Sequence, residues 1–266
     1  MYGAIYSGID VRDYRMVCAA SEQDFPAEFE LKTCRVKNQL STGSCVAHAL
    51  SSIVEFYNRK QNDADVEMST GYIYGNRTNS AHKGPGMVIR DALDIVRKFG
   101  DVPRYEFPYN VETPEAIKLY RRKSQELYDI GYPHRISEYC RISTASAAKT
   151  ALMAGVPLLM AMDWYTDMDV VDGVLTSNYV GNEGGHCMFI YGWDERGWKI
   201  QNSWGEDWGV NGKFILPYDM PMAECWAVMD DIIEGAHIEK PFSSKAGNVF
   251  AKIINKVCNI FNKAGD

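Results

Sequence analysis

Cys45, His186 and Asn202 are the residues whose types and surroundings could make a reactive thiol with its base. Cys45 ends the segment Gln39-Leu40-Ser41-Thr42-Gly43-Ser44-Cys45 and begins an apolar pattern in which Val46, Ala49, Leu50, Ile53, Val54 and Tyr57 recur at helical spacing. The spacing predicts that Cys45 opens a buried helix. At a helix start the unpaired N–H groups and the positive end of the dipole favour an anion, and a thiol placed there titrates at roughly 3.5–7.5. A thiolate that attacks an acyl group then needs a partner to stabilise it and to protonate the leaving group.

Five histidines are available. His48 lies one turn into the Cys45 helix among small and apolar residues and reads as packed there rather than catalytic. His82, His134 and His237 sit in Gly-, Pro- or Lys-flanked stretches that read as loops. His186 follows Gly184-Gly185 and opens Cys187-Met188-Phe189-Ile190-Tyr191-Gly192-Trp193, a run dense in aromatic and β-branched residues that predicts a buried strand. The next strand, Gly197-Trp198-Lys199-Ile200-Gln201, ends at Asn202, so a hairpin brings the Asn202 amide beside His186 and lets it orient the ring. Trp204 and Trp208 would cover that hydrogen bond from water, where a lower dielectric strengthens it.

These segments resemble the papain-like cysteine peptidases, the family that includes the cathepsins. Val36-Lys37-Asn38-Gln39 leading to Gly43-Ser44-Cys45, then Gly185-His186, then Asn202-Ser203-Trp204-Gly205 with Trp208-Gly209 carry the likeness. The resemblance implies Cys45 as nucleophile, His186 as general base and acid, and Asn202 as orienter. It also implies Gln39 as an oxyanion-hole donor acting with the backbone N–H of Cys45, and loss of one such donor typically costs about 10²–10³ in rate. More narrowly, Glu67 to Tyr74, Gly84 to Leu93, Tyr105 to Tyr109 and Leu216 to Asp219 with Cys225-Trp226 resemble the bacterial and viral branch that lacks a long pro-segment. There Gly84 and Gly86 offer backbone groups to an extended peptide. Met87, Gly185 and Trp204 complete the expected substrate-binding set, and Ile89, Met160 and Cys187 join Met87 around an apolar pocket. Val46 stands where the family usually has tryptophan, Thr42 where many members have a half-cystine, and Gly185 where aspartate or asparagine is frequent.

The expected fold is α+β, papain-like and two-lobed, with a helical left lobe, an antiparallel β-barrel right lobe and the cleft between. With 266 residues, 46% of them hydrophobic, the chain can bury a full core. Residues 1–235 are expected to form the peptidase domain, with the left lobe at about 25–112 and the right at about 130–230, followed by a tail at 236–266. Helices dominate from Ser44 to Phe99 and stop at Gly100-Asp101-Val102-Pro103, and Thr113-Pro114 starts a charged helix that runs to about Asp129 and links the lobes. Beyond it the pattern predicts a helix at 143–154 and strands at 157–162, 173–175, 187–193, 198–201, 213–216 and 223–229.

No apolar run of about 20 residues is present, and the first ten residues lack a basic start and an apolar signal core, so a cytoplasmic location is expected. Seven cysteines without a Cys-x-x-Cys pair argue against a zinc site and a paired disulfide framework, and no cofactor is expected. A net charge of −7 disfavours general nucleic-acid binding. In the tail, 248–263 reads as an amphipathic helix with Val249, Phe250, Ile253, Ile254, Val257, Ile260 and Phe261 on one face. Five lysines against Glu239 and Asp266 give the chain from Gly235 onward a charge of +3. Such a helix suits a protein partner, an anionic membrane surface, docking on its own protein, or cover for the cleft. Two functional classes stay open: a peptidase acting on polypeptides, or an acyltransferase or isopeptidase with the same triad, against a non-catalytic binding module of the same fold.

Overall fold

Cys45 begins helix α1 (Cys45–Asn62), in which every residue from Cys45 to Asn58 is buried, so this helix is surrounded rather than laid on a surface. It ends where Asp63 takes a left-handed conformation at φ 51°. The computed structural model describes residues 2–16, 25–63, 65–77, 84–108, 125–230 and 238–239, and the predicted tail helix and most of the predicted linker helix lie outside them. Helix α2 (Thr70–Asn76) is capped by Ser69, whose side chain accepts from the Tyr72 N–H, and α3 (Ile89–Phe99) stops at Gly100, φ 72°. A Cβ at Gly100 would sit 1.9 Å from the Gly131 carbonyl oxygen, so the turn needs glycine for space as well as for conformation.

The sheet is built from β5 (Glu138–Arg141), β6 (Leu158–Tyr165), β9 (Glu183–Asp194), β10 (Gly197–Gln201), β11 (Lys213–Pro217) and β12 (Glu224–Met229), paired antiparallel in the order β5-β12-β6-β9-β10-β11. Its margins depart from the all-antiparallel expectation. β8 (Val174–Thr176) joins β11 in parallel, β2 (Arg15–Met16) joins β5 in parallel, and β7 (Asp169–Val171) pairs β8. β3 (Phe29–Glu30) pairs β9, and β13 (Ile238–Glu239) pairs β2. A separate two-stranded sheet joins β1 (Ala4–Ile5) in parallel to β4 (Met87–Val88). Helix α4 (Ala145–Met153) packs on the sheet, its Thr144 cap accepting from the Ala147 N–H.

Alternation along β6 and β9 divides two cores. Leu159, Ala161, Cys187 and Phe189 face the cluster around α1, α2 and α3, whereas Leu158, Met160, Met162, Met188 and Ile190 face the cluster with α4, Trp193 and Trp198. Met160 therefore belongs to the far core and is not a wall of the expected apolar pocket. Tyr57 links the lobes by donating to the Val228 carbonyl at 2.7 Å. Among the described residues no helix is long and apolar enough to cross a membrane.

Charged groups are buried under the loop that precedes Cys45. Lys37 Nζ lies 2.6 Å from Glu55, which also accepts from the Met68 N–H. Asp101 is wholly buried, and loss of water pushes its carboxyl up to about 8, with the Lys37 charge pulling the other way. The folded carboxyl thus keeps its proton to about pH 8 while the unfolded one releases it near 3.8, so stability falls as pH rises between those values. Asp101→Asn is expected to raise the melting temperature at pH 8.5, by roughly 2–4 °C per kcal/mol regained. The gain should shrink toward zero at pH 4. A pH-independent difference in thermal scans would refute this account.

Candidate active site

Helix α1 and strand β9 meet at the cleft. The sulfur of Cys45 lies near the backbone N–H groups of Cys187, Gly3 and Val46 and its own, each of which favours a thiolate. Cys187 follows His186 in β9, so this contact fixes the strand's histidine next to the helix start. His186 stands opposite Met162 of β6 and is fully buried. Its Nε2 lies 2.8 Å from Asn202 Oδ1, which also accepts from the Ser203 N–H at 2.8 Å. An amide oxygen only accepts, so the neutral ring carries its proton on Nε2 and leaves Nδ1 with a lone pair. Nδ1 has no hydrogen-bond partner.

Trp204 stacks on the His186 ring at 4.7 Å and 23°, and Trp164 meets it edge-on at 5.4 Å. Trp208 and Phe214 extend this aromatic shell. Trp164 escaped the sequence reading because it lies on β6, away from every motif. The signal that could have found it is its phase in a strand whose even positions face the barrel core.

Gln39 is buried beside this group. Its N–H donates to the Ser203 carbonyl at 2.8 Å, its Oε1 accepts from Ser203 Oγ at 2.7 Å and its Nε2 donates to the Thr42 carbonyl at 2.7 Å. Ser203 thereby touches both Asn202 and Gln39, a link the sequence reading missed.

The cleft is occupied by the chain's own N-terminal segment. Gly3 donates to the Gly185 carbonyl at 3.0 Å, and the Met87 N–H donates to the Gly3 carbonyl at 2.9 Å. Ala4 and Ile5 continue as a strand parallel to Met87–Val88. Glycines line this passage because nothing larger fits: a Cβ on Gly86 would lie 2.4 Å from the Gly3 oxygen, and one on Gly185 would lie 2.1 Å from the Ala4 oxygen. A Cβ on Gly3 would lie 1.9 Å from the Gly43 oxygen. The expected substrate-binding residues Gly86, Met87 and Gly185 thus already hold an extended backbone. The described contacts come from these three, while Gly84 lies two residues before Gly86. Farther along, Ser7 donates twice to Glu224, and Asp13 pairs with Arg90 of α3 and Arg141 of β5 at 2.8 and 3.1 Å.

This cover changes the electrostatics. The expectation of a thiol lowered by the helix start does not hold in the closed form: burial pushes the Cys45 thiol up against the opposing N–H groups. Burial likewise pushes His186 down to about 4, with the Asn202 hydrogen bond opposing. Under the segment the pair therefore rests as thiol and neutral imidazole. Met87, Ile89 and Cys187 are buried as well, so the apolar pocket they were expected to border is not open. Cys34, Cys45, Cys140, Cys187 and Cys225 are unpaired thiols.

A sequence model described as the papain family cysteine protease matches residues 24–228. An uncharacterized peptidase C1-like protein of Acanthamoeba polyphaga mimivirus is 26% identical over 68% of this chain and 63% of its own length. Human cathepsin O is 33% identical over 67% of this chain and 56% of its own. The chain thus spans less than two thirds of either relative's length. Xylellain, a cysteine protease from Xylella fastidiosa, superposes with a TM-score of 0.73 at 24% identity, covering 86% of this chain and 96% of that one, and shares the α+β fold of two lobes around a cleft.

A histidine-ring NMR titration is expected to find His186 neutral down to about pH 4. In full-length Gly3→Val, whose side chain has no room under Gly43, the value should climb toward the ordinary 6.5 as water enters the cleft. An unshifted titration in that variant would mean that the segment does not control the burial.

Proposed function

The chain belongs to the papain family of cysteine proteases, and on that premise we propose that it hydrolyses polypeptides through Cys45, His186 and Asn202. The observation that carries the proposal is the His186 ring, tied to Asn202 through Nε2 with Nδ1 unpartnered, in a strand whose next residue, Cys187, turns its backbone N–H to the Cys45 thiol at a helix start. Nδ1 takes the Cys45 proton, and the thiolate attacks the carbonyl carbon of a peptide bond. The tetrahedral oxyanion is met by the Cys45 N–H and the Gln39 side chain. The imidazolium returns the proton to the departing amine, leaving a thioester. Water activated by the same nitrogen then adds to the thioester, releasing the acid and regenerating the thiol. Asn202 holds the ring in one plane throughout, and Trp204 and Trp164 keep water from their hydrogen bond.

The form described is a resting one. Gly3 takes up the Gly185 carbonyl and the Met87 N–H and passes close against Gly86, backbone positions that an extended substrate would need, which supports self-inhibition by the N-terminal segment. That residues 2–7 fill the cleft favours this reading over occlusion by the tail.

The test is labelling of the full chain by a peptidyl vinyl sulfone, with the adduct located by mass spectrometry. A single adduct on Cys45 is expected, and Cys45→Ala should lose peptide hydrolysis by about 10³-fold or more. Gly3→Val should react faster than the unaltered chain, roughly tenfold for each 1.4 kcal/mol of segment contact removed. Failure of every form to react would favour the non-catalytic binding module, and an adduct elsewhere would reassign the nucleophile.

A further inference from the structure

We propose that Asp163 is a specificity-determining residue of the cleft, its carboxylate selecting substrates that carry an arginine or lysine side chain near the scissile bond. The proposal rests on the peptidase reading and on the N-terminal segment marking the track that an extended substrate follows. Gly3 lies at the reacting centre: its N–H donates at 3.0 Å to the carbonyl of Gly185, the residue before His186, and it passes against Gly43, two residues before Cys45. From there the backbone runs beside Met87 and Val88, paired with Ala4 and Ile5, and Ser7 Oγ accepts from the Arg90 N–H at 2.8 Å. Side chains alternate along such a strand, so Ala4 and Tyr6 share one side of it. Ala4 is buried and lies against Gly185, and the Tyr6 hydroxyl donates to Asp163 Oδ1 at 2.5 Å. Tyr6 is three residues along the chain from Gly3.

The sheet places Asp163 where a side chain in the track can meet it. In β6 it stands two residues beyond Ala161, hence on the same face, and opposite Gly185 of β9. Ala161 and Cys187 of that face are closed under the α1 core. One step farther the sheet emerges into the cleft, where Asp163 is exposed and Gly185 has no side chain to screen it. Glu224 of β12, opposite Ala161, is the other carboxylate of this face, but it is buried and paired with Arg141 at 3.2 Å. Asp163 is met by a phenol, and among the described residues no cation pairs with it. Burial, with the Asp163 hydrogen bond and charge, pushes the Tyr6 hydroxyl up, so it stays a neutral donor. A neutral donor leaves the carboxylate's charge uncompensated, whereas a guanidinium or ammonium gives a charge-assisted bond roughly twice as strong. The stems of arginine and lysine are about as long as a tyrosine's ring and hydroxyl, so either reaches Asp163 from the backbone position that Tyr6 holds. Water screens an exposed pair, which keeps the preference moderate.

The test uses fluorogenic peptides with arginine, glutamine or glutamate placed in turn at successive positions on either side of the scissile bond, and kcat/KM is measured with the full-length chain. Within one enzyme every peptide competes with the same N-terminal segment, so the segment cancels from the arginine-to-glutamine ratio. At the position that matches Tyr6 the ratio is expected to favour arginine roughly 3–10-fold. It should fall toward unity in Asp163→Asn, turn in favour of glutamate in Asp163→Lys, and shrink in the unaltered chain as salt is added. A merely structural role for Asp163 would change all peptides alike and leave the ratio unmoved. No preference for arginine at any position, or a ratio that persists in folded Asp163→Asn, would overturn the proposal. Should Asp163→Asn not fold, the same ratio is read in Asp163→Ser, with the same outcome deciding. If neither the unaltered chain nor Gly3→Val cleaves any peptide, the peptidase reading fails and this proposal goes with it. Cleavage without the arginine preference removes the role of Asp163 alone.

Discussion

The contact between the start of α1 and the strand β9 is the constraint on which the rest of the site depends. A helix buried from its first residue through Asn58 has no freedom of rotation, so the direction of its first side chain is set by everything packed around it. The strand is equally confined, with β6 and β10 on either side and a core on each face. Bringing the Cys187 N–H against the Cys45 sulfur joins the two rigid bodies at one point. His186 and Asn202 inherit their positions from the sheet, Gln39 from the loop leading into the helix. Such precision suits chemistry that tolerates errors of only a fraction of an ångström.

How much of this was legible in the sequence follows from where the information lies. The α1 pattern and the run 187–193 are local, and both elements appear, although β9 starts earlier, at Glu183, because Gly184 and Gly185 can lie flat beneath the N-terminal segment. Asn202 meets His186 because the β9–β10 hairpin is local too. Trp164 and Ser203 were illegible, since each depends on a partner more than fifteen residues away. Met160 was misassigned for want of strand phase: one residue's shift sends a side chain to the opposite core. β1 and β2 were missed because two-residue strands carry no periodicity, and their meaning lies in what they touch.

The resting electrostatics illustrate how one environment can override a general tendency. Helix starts favour anions, yet a site from which water has been displaced penalises every charge, and here the second effect exceeds the first. The imidazole and the thiol shift in opposite directions for the same reason, so both become neutral together. Admitting water reverses both shifts at once, and charge separation within the pair is coupled to access.

The segment that fills the cleft is also a clasp between lobes. Asp13 draws Arg90 from α3 and Arg141 from β5 onto one carboxylate, and the same two guanidiniums reach the Gly8 carbonyl. A tethered occupant of this kind competes at an effective local concentration set by its tether and not by the bulk solution. Any incoming peptide meets a competitor that cannot diffuse away, and its apparent affinity is its intrinsic affinity multiplied by the fraction of molecules with the clasp undone. The threshold for occupancy is thereby raised by the same factor for every ligand without altering a single contact in the cleft, so at a given concentration only those strong enough to outcompete an intramolecular rival remain bound.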